Sequence, residues 1–233
     1  VETLFEDNDV VAINKPAGVA VIPGRDETPE QSLRGMLEAA RREKLWVVHR
    51  LDRDTSGVVL FARNEKAHRS LSMAFEGRSV EKTYLAWTRG VPNQLSGVIS
   101  TPLHSARKGK MRPALPNEEG SLSSETGYSV RYAVETAAGP VALVEAAPKT
   151  GRQHQIRVHL RSVEAPLLVD EFYGKCESVA AGGLGAGSPE VPRLTLHAAK
   201  IMFPHPSKGP VTVEAPLPVD LRALDVWLKA RAG

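Results

Sequence analysis

The sequence predicts an α+β fold built around a largely antiparallel sheet. Short β-rich runs outnumber segments with a helical apolar period by a wide margin, and the regular strand-helix alternation of a parallel sheet is missing. No internal repeat breaks the chain into units. With 42% hydrophobic and 24% charged residues over a length of 233, the composition is that of an ordinary globular chain, and a single domain over 1–233 is expected.

Taken in order, Val10 to Asn14 is an apolar β-rich run stopped by Lys15-Pro16-Ala17-Gly18, so it predicts a strand ended by a turn. From Gln31 to Leu45 the apolar residues Leu33, Met36, Leu37, Ala40 and Leu45 follow a helical period. Val47-Val48 enters and Val58 to Ala62 leaves a polar stretch, His49 to Gly57, which is therefore a loop anchored on apolar walls. Asn64 suits the N-cap of a helix to about Glu76, and Glu81 to Trp87 alternates as a strand does. Ser105 to Ser124 carries Gly, Pro, Ser and charge without period, which predicts a long mobile loop or hairpin. Strands are expected at Thr126 to Val134 and Val141 to Ala146. Thr150-Gly151-Arg152-Gln153 has the spacing of a capping box for a helix to about Ser162, burying Ile156, Leu160 and Val163. Ala180 to Pro192 is rich in glycine and small residues and predicts a flexible surface loop. Strands at Leu194 to Phe203 and Val211 to Ala215 precede a last helix, Asp220 to Ala230.

No run approaches the roughly 18 apolar residues that a membrane span needs, and Val1 to Asn14 lacks the basic start and apolar stretch of a signal peptide. The lone Cys176 forms no internal disulfide. A cytoplasmic protein is expected, with a monomer as the default. The formal charge is only +3, yet Arg107, Lys108, Lys110 and Arg112 fall together, as do Lys149, Arg152, Arg157 and Arg161. Two local basic patches result, each of which could be a solvated face or a phosphate contact.

Polar residues crowd between apolar elements at two places, His49 to Gly57 and Lys149 to His159. The first, His49-Arg50-Leu51-Asp52-Arg53-Asp54-Thr55-Ser56-Gly57, resembles the H-R-L-D-x-x-T-S-G signature of the RluA family of pseudouridine synthases at every fixed position. The resemblance continues through Lys15 to Gly18, Glu81-Lys82-Thr83-Tyr84-Leu85-Ala86, Thr150 to His159, His197-Ala198 and His205-Pro206, in the family's order and across nearly the whole chain. Val169 stands where the family often has glycine, and the Ala180 to Pro192 stretch is unusual. The resemblance implies the pseudouridine synthase catalytic fold, with no separate N-terminal RNA-binding module in this chain.

It also implies a reaction: the glycosidic bond of a uridine breaks, the uracil turns, and it rejoins the same ribose through carbon 5. No atom is lost, so neither a redox cofactor nor a metal is called for, and no cofactor is expected. A group is needed that adds covalently or stabilises a cation-like sugar, and an ionised Asp52 suits either task. Desolvation favours the protonated carboxyl, so a fixed cation must keep it charged. Arg152 is the candidate the resemblance supplies. Tyr84 is implied to face the base, where stacking contributes roughly 1–3 kcal/mol and its hydroxyl could relay a proton; without the motif it reads as a half-buried strand aromatic. Ile201 is expected as an apolar floor under that ring or as an ordinary core residue.

The target base must leave its stack at a cost of a few kcal/mol, and Arg50 resembles the arginine that fills the gap. Lys108, Lys110, Arg112, Lys149 and Arg157 are assigned to RNA phosphates, and His154 and Gln155 to holding the loop or the RNA backbone. His154 and His159 do not have the spacing of a metal site, and no cysteine pair or H-E-x-x-H accompanies them. Two rivals stand beside this reading. A glycosidase or nucleosidase would need a second cooperating carboxylate, and an inactive RNA-binding module would keep the basic patches with no need for Asp52.

Overall fold

The computed structural model describes residues 1–232. Its strands in chain order are β1 (Glu2–Glu6), β2 (Val10–Lys15), β3 (Trp46–Val47), β4 (Ser56–Ala62), β5 (Glu81–Arg89), β6 (Ser96–Ile99), β7 (Leu103–Ser105), β8 (Met111–Pro113), β9 (Thr126–Thr136), β10 (Gly139–Pro148), β11 (Leu196–Pro204) and β12 (Pro210–Glu214). The helices are α1 (Leu33–Arg41), α2 (Glu65–Glu76), α3 (Gln155–Ser162) and α4 (Val219–Lys229). The chain forms two compact units, Val1–Lys82 with His197–Pro216, and Thr83–Leu196 with Leu217–Gly233.

In the first unit β1, β2 and β4 are joined antiparallel and β4 continues parallel to β11, while β12 pairs with β11 and β3 with β4. Gly57 is at φ +116°, and a Cβ there would stand 2.1 Å from the Ala198 carbonyl oxygen. Only glycine lets β4 approach β11 this closely. Asn64 caps α2 as predicted, accepting from Ala67 N at 2.8 Å. Val10, Ala12, Val58, Leu60, Leu71, Ile201 and Phe203 form the core beneath α2. α1 is shorter than its periodicity suggests: Ser32 caps it and Arg42 ends it in the left-handed region at φ 54°, so Leu45 lies beyond the helix.

The second unit carries an antiparallel sheet in the order β5-β10-β9-β6 and a separate β7-β8 ribbon. The stretch from Ser105 to Ser124 is therefore partly a hairpin. β1 and β6, which no periodicity announces, are edge strands with several exposed residues, so neither shows a full apolar face. The glycine-rich stretch differs from the expected flexible loop. Leu184 and Val191 are buried with Leu221, Leu224 and Leu228 of α4, and Trp227 Nε1 donates to the Ala186 carbonyl at 3.3 Å. Its apolar residues dock one by one, which leaves no period to read. Val169, at the position where the family often has glycine, is buried in the same core.

Candidate active site

The loop that carries Asp52 lies between β3 and β4, whose register (Val47 with Phe61) makes it the connection of an antiparallel pair. Its backbone is held from several directions. Thr55 N donates to the Asp52 carbonyl at 3.2 Å, closing a turn. Leu60 N donates to His49 Nε2 at 2.9 Å, and the imidazole stacks on Phe75 at 4.8 Å between centroids. A backbone donor on Nε2 requires that nitrogen to be unprotonated. Burial, reinforced by the charge of Lys82, keeps it so by pushing His49 down to about 3. Burial likewise pulls Lys82 down to about 8.

Beneath the loop lies a residue to which the sequence gives no role. Lys15 is fully buried, and its ammonium donates to the carbonyls of Pro16 (2.8 Å), Val19 (2.7 Å) and Arg53 (2.7 Å). One cation thus ties the turn after β2 to the residue next to Asp52. The Arg53 guanidinium reaches Glu27 at 2.6 Å, and Glu27 also accepts from Gly24 N. Beyond Asp52, the Ser56 hydroxyl is 2.8 Å from His197 Nδ1, and His197 Nε2 is 3.2 Å from the Ala215 carbonyl. The carbonyl fixes the proton on Nε2, so Nδ1 accepts from serine. Leu51, Thr55 and Ser56 point inward, Asp52 is half-buried, and Arg50 is exposed.

In the second unit Tyr84 is half-buried on β5, opposite Ala146 of β10, and packs against the core cluster to which Ile156 and Leu160 of α3 belong. The second polar block divides in two. Gly151, Arg152 and Gln153 form an exposed turn, and residues 155–160 are buried. Thr150 and Gln153 do not cap the helix, whose N-cap is His154 in the left-handed region at φ 54°. Thr150 Oγ1 instead donates to Gln155 Oε1 (2.7 Å), which also accepts from Arg152 N (3.0 Å). Gln155 Nε2 in turn donates to the Glu125 carbonyl and to Thr126 Oγ1, both at 2.9 Å. Gln155 is thus spent on shaping the turn.

The two arginines of this block differ sharply. Arg152 is exposed, its Nε donating to the Ser123 carbonyl at 3.1 Å. Arg157, expected at a phosphate, is instead buried and forked onto Asp170, with Nε to Oδ2 at 2.8 Å and a terminal nitrogen to Oδ1 at 2.7 Å. Oδ1 also accepts from Phe172 N and Tyr173 N, and the guanidinium lies 5.0 Å from the Tyr173 ring centroid. Asp170 belongs to the Leu168-Val169-Asp170 stretch compared with the family, but nothing local in the sequence pairs it or Tyr173 with Arg157, 13 residues before Asp170.

Among the other expected phosphate contacts, Lys108 is exposed at the hairpin tip and Lys110 donates to the Phe172 carbonyl. Arg112 forks onto Glu118, and Lys149 pairs with Glu125 at 2.9 Å. Those last two pairs are on the surface, where an ion pair contributes about 0–1 kcal/mol and yields readily to another anion. Ile201 is a core residue of the first unit, opposite Val213. His159 is buried among Thr126 Oγ1 (2.9 Å), the Thr101 carbonyl (3.0 Å) and Ser124 Oγ (3.1 Å), and burial lowers its pKa. Its ring is occupied by hydroxyls and a carbonyl. Among the described residues no three His, Cys, Asp or Glu side chains gather as a metal site, and no helix is long and apolar enough to cross a membrane.

Comparison with known proteins agrees with the motifs. A family model described as RNA pseudouridylate synthase matches residues 9–162. The dual-specificity RNA pseudouridine synthase RluA of Vibrio vulnificus is 33% identical over 205 residues, 88% of this chain and 78% of the relative. Ribosomal large subunit pseudouridine synthase C of Escherichia coli is 37% identical over 228 residues, 94% of this chain and 67% of the relative. Among solved structures, human RNA pseudouridylate synthase domain containing 1 aligns with a TM-score of 0.75 at 27% identity, over 96% of this chain and 86% of that one.

Proposed function

The chain belongs to the RNA pseudouridylate synthase family, and from that premise we propose that it converts particular uridines of ribosomal RNA, transfer RNA or both, with Asp52 as the carboxylate that acts on the flipped-out nucleotide. It is an RNA uridine isomerase. The C1′–N1 bond breaks, the uracil turns, a C5–C1′ bond forms, and the proton on C5 leaves while N1 gains one, so atoms balance with no cofactor. The observation that carries the assignment of Asp52 is the held loop: a half-buried carboxylate in a backbone fixed by Lys15, His49 and a turn hydrogen bond. Such preorganisation is what a nucleophile or charge-stabilising group needs, because little reorganisation remains for the moment of reaction.

Tyr84 is assigned to the base, as stacking partner and proton relay, and Arg50 to the space the base leaves. For the cation that keeps Asp52 ionised, the physical requirement is a guanidinium held in place away from water. Arg157 meets it and the exposed Arg152 does not, so we transfer that role from Arg152 to Arg157 and leave Arg152 to the RNA backbone. Lys108, Arg112, Lys149 and His154 remain RNA-facing candidates. The family match runs through both compact units, which supports reading 1–233 as one catalytic domain.

The test is to incubate the protein with uridine-rich RNA, digest to nucleosides, and separate the products. Pseudouridine without free uracil is expected; free uracil with an abasic ribose would point to the glycosidase reading.

A further inference from the structure

A two-stranded ribbon of three residues a side does not hold itself together in water. β7 and β8 form such a ribbon, and its connection carries Arg107, Lys108 and Lys110 with no acidic residue between Leu103 and Pro113. Like charges at the tip oppose folding, and Lys108 and Gly109 take left-handed backbone, at φ 58° and 70°. Something outside the ribbon must fix it.

Leu122 holds one edge, exchanging backbone hydrogen bonds with Leu103 at 2.9 and 2.7 Å, and the side-chain contacts come from 153–158 and 172–173. Leu103 and Met111 are buried against Val158 of α3 and the Tyr173 ring. Met111 N donates to the Tyr173 hydroxyl oxygen at 2.8 Å, and the same oxygen lies 2.7 Å from His154 Nδ1. The phenol oxygen thus accepts from the ribbon and is hydrogen-bonded to the imidazole at the start of α3. Gln153 Nε2 donates to the Gly109 carbonyl at 3.3 Å, and Lys110 donates to the Phe172 carbonyl with its ammonium 5.9 Å from the Tyr173 ring centroid. With Lys110 turned inward, the exposed cations of the tip are Arg107 and Lys108.

We propose that Tyr173 is a positioning residue: its hydroxyl docks the basic hairpin onto the start of α3, so that Arg107 and Lys108 meet RNA phosphate beside the turn that carries Arg152. This rests on the RNA-substrate reading above. Tyr173 acts through the hairpin and takes no part in the chemistry. Its ring packs on both the Arg157 guanidinium and the ribbon core, and its oxygen bonds Met111 N and His154, so removing the oxygen alone takes away the polar anchor and leaves the packing.

The experiment uses the full chain with Tyr173→Phe, which keeps the ring and removes the oxygen. In the protein alone, hydrogen exchange across 103–113 should quicken about tenfold or more while the β9-β10 peptides stay unchanged. Affinity for a uridine-containing stem-loop RNA should fall about three- to tenfold between roughly 50 and 200 mM salt, with a salt slope shallower by about one to two. On a transcript that the wild type modifies, KM should rise while kcat stays within about twofold. Arg107→Ala with Lys108→Ala should reproduce the affinity loss, and adding Tyr173→Phe to that pair should cost little more, because the three act through one surface. Unchanged exchange in the hairpin, a fully multiplicative triple variant, or a loss of kcat at constant KM would each overturn the proposal. A wild type that binds the stem-loop but isomerises nothing would defeat the functional reading and leave the exchange and salt results to decide the docking. A wild type that binds no RNA would defeat both.

Discussion

The two polar blocks are held by different means. In His49 to Gly57 the loop is tied down one residue at a time, by a buried ammonium on the Arg53 carbonyl, by the His49 imidazole on Leu60 N and by the Ser56 hydroxyl on His197. In Lys149 to His159 the order comes from two successive elements: Arg157 lies in α3, whose residues 155–160 are all buried, and falls onto Asp170, whereas Arg152 lies on the exposed turn before the helix begins. A loop thus holds each residue by its own tie, whereas a turn and the helix after it put two identical residues five positions apart into opposite surroundings.

The sharpest way to break this contrast is to remove Arg157. Arg157→Ala leaves Asp170 buried without its counter-charge and should cost about 3–5 kcal/mol of stability, read by denaturant melts, with activity falling alongside. Replacing both partners, Arg157→Met with Asp170→Leu, should recover most of the stability and none of the activity. Recovery of both would make the pair structural only.

Next in size is Lys15→Met. It strips the Pro16, Val19 and Arg53 carbonyls of a shared donor and should cost about 1–3 kcal/mol, with faster exchange at the Thr55 amide, which bonds back to Asp52. An unchanged Thr55 amide would mean the loop does not depend on the ammonium. Arg152→Ala should change stability by no more than about 0.5 kcal/mol and weaken RNA binding only modestly. If it matched Arg157→Ala in activity, the transfer of the cationic role would be wrong.

The smallest effect is a pH signature near the first block. Burial lowers Lys82 from 10.5 to about 8, so between those values the unfolded chain holds a proton that the folded chain has released. Stability relative to Lys82→Met should therefore rise with pH across that window, because the unfolded state binds more protons there; below about 8 both states hold the proton and the burial cost is borne in full. Melts of the two proteins from pH 7 to 10 would show it, and parallel curves would contradict it.

Much of this was legible in the sequence where information is local. β2, α2, β9 and β10 follow their periodicities, and the Asp52 loop announces itself as nine contiguous polar-motif residues. What escaped depends on partners far away in the chain. Lysine at the end of a strand reads as a surface residue, and its burial here rests on a carbonyl 38 residues on. Thr150 and Gln153 satisfy a capping pattern, yet Gln155 takes the threonine hydroxyl and the helix starts later. Arg152 and Arg157 are the same residue type in one motif, and only Asp170, 13 residues past the second, tells them apart.

On the function proposed above, Asp52 in its held loop acts on uridine in RNA. Total RNA from a strain lacking the enzyme, incubated with the wild type or with Asp52→Asn and mapped for pseudouridine at single-nucleotide resolution, tests it most directly. Sites made by the wild type alone, with the variant folded and still binding RNA, are the predicted result; the same sites made by Asp52→Asn, or none made by either while binding persists, would contradict the account.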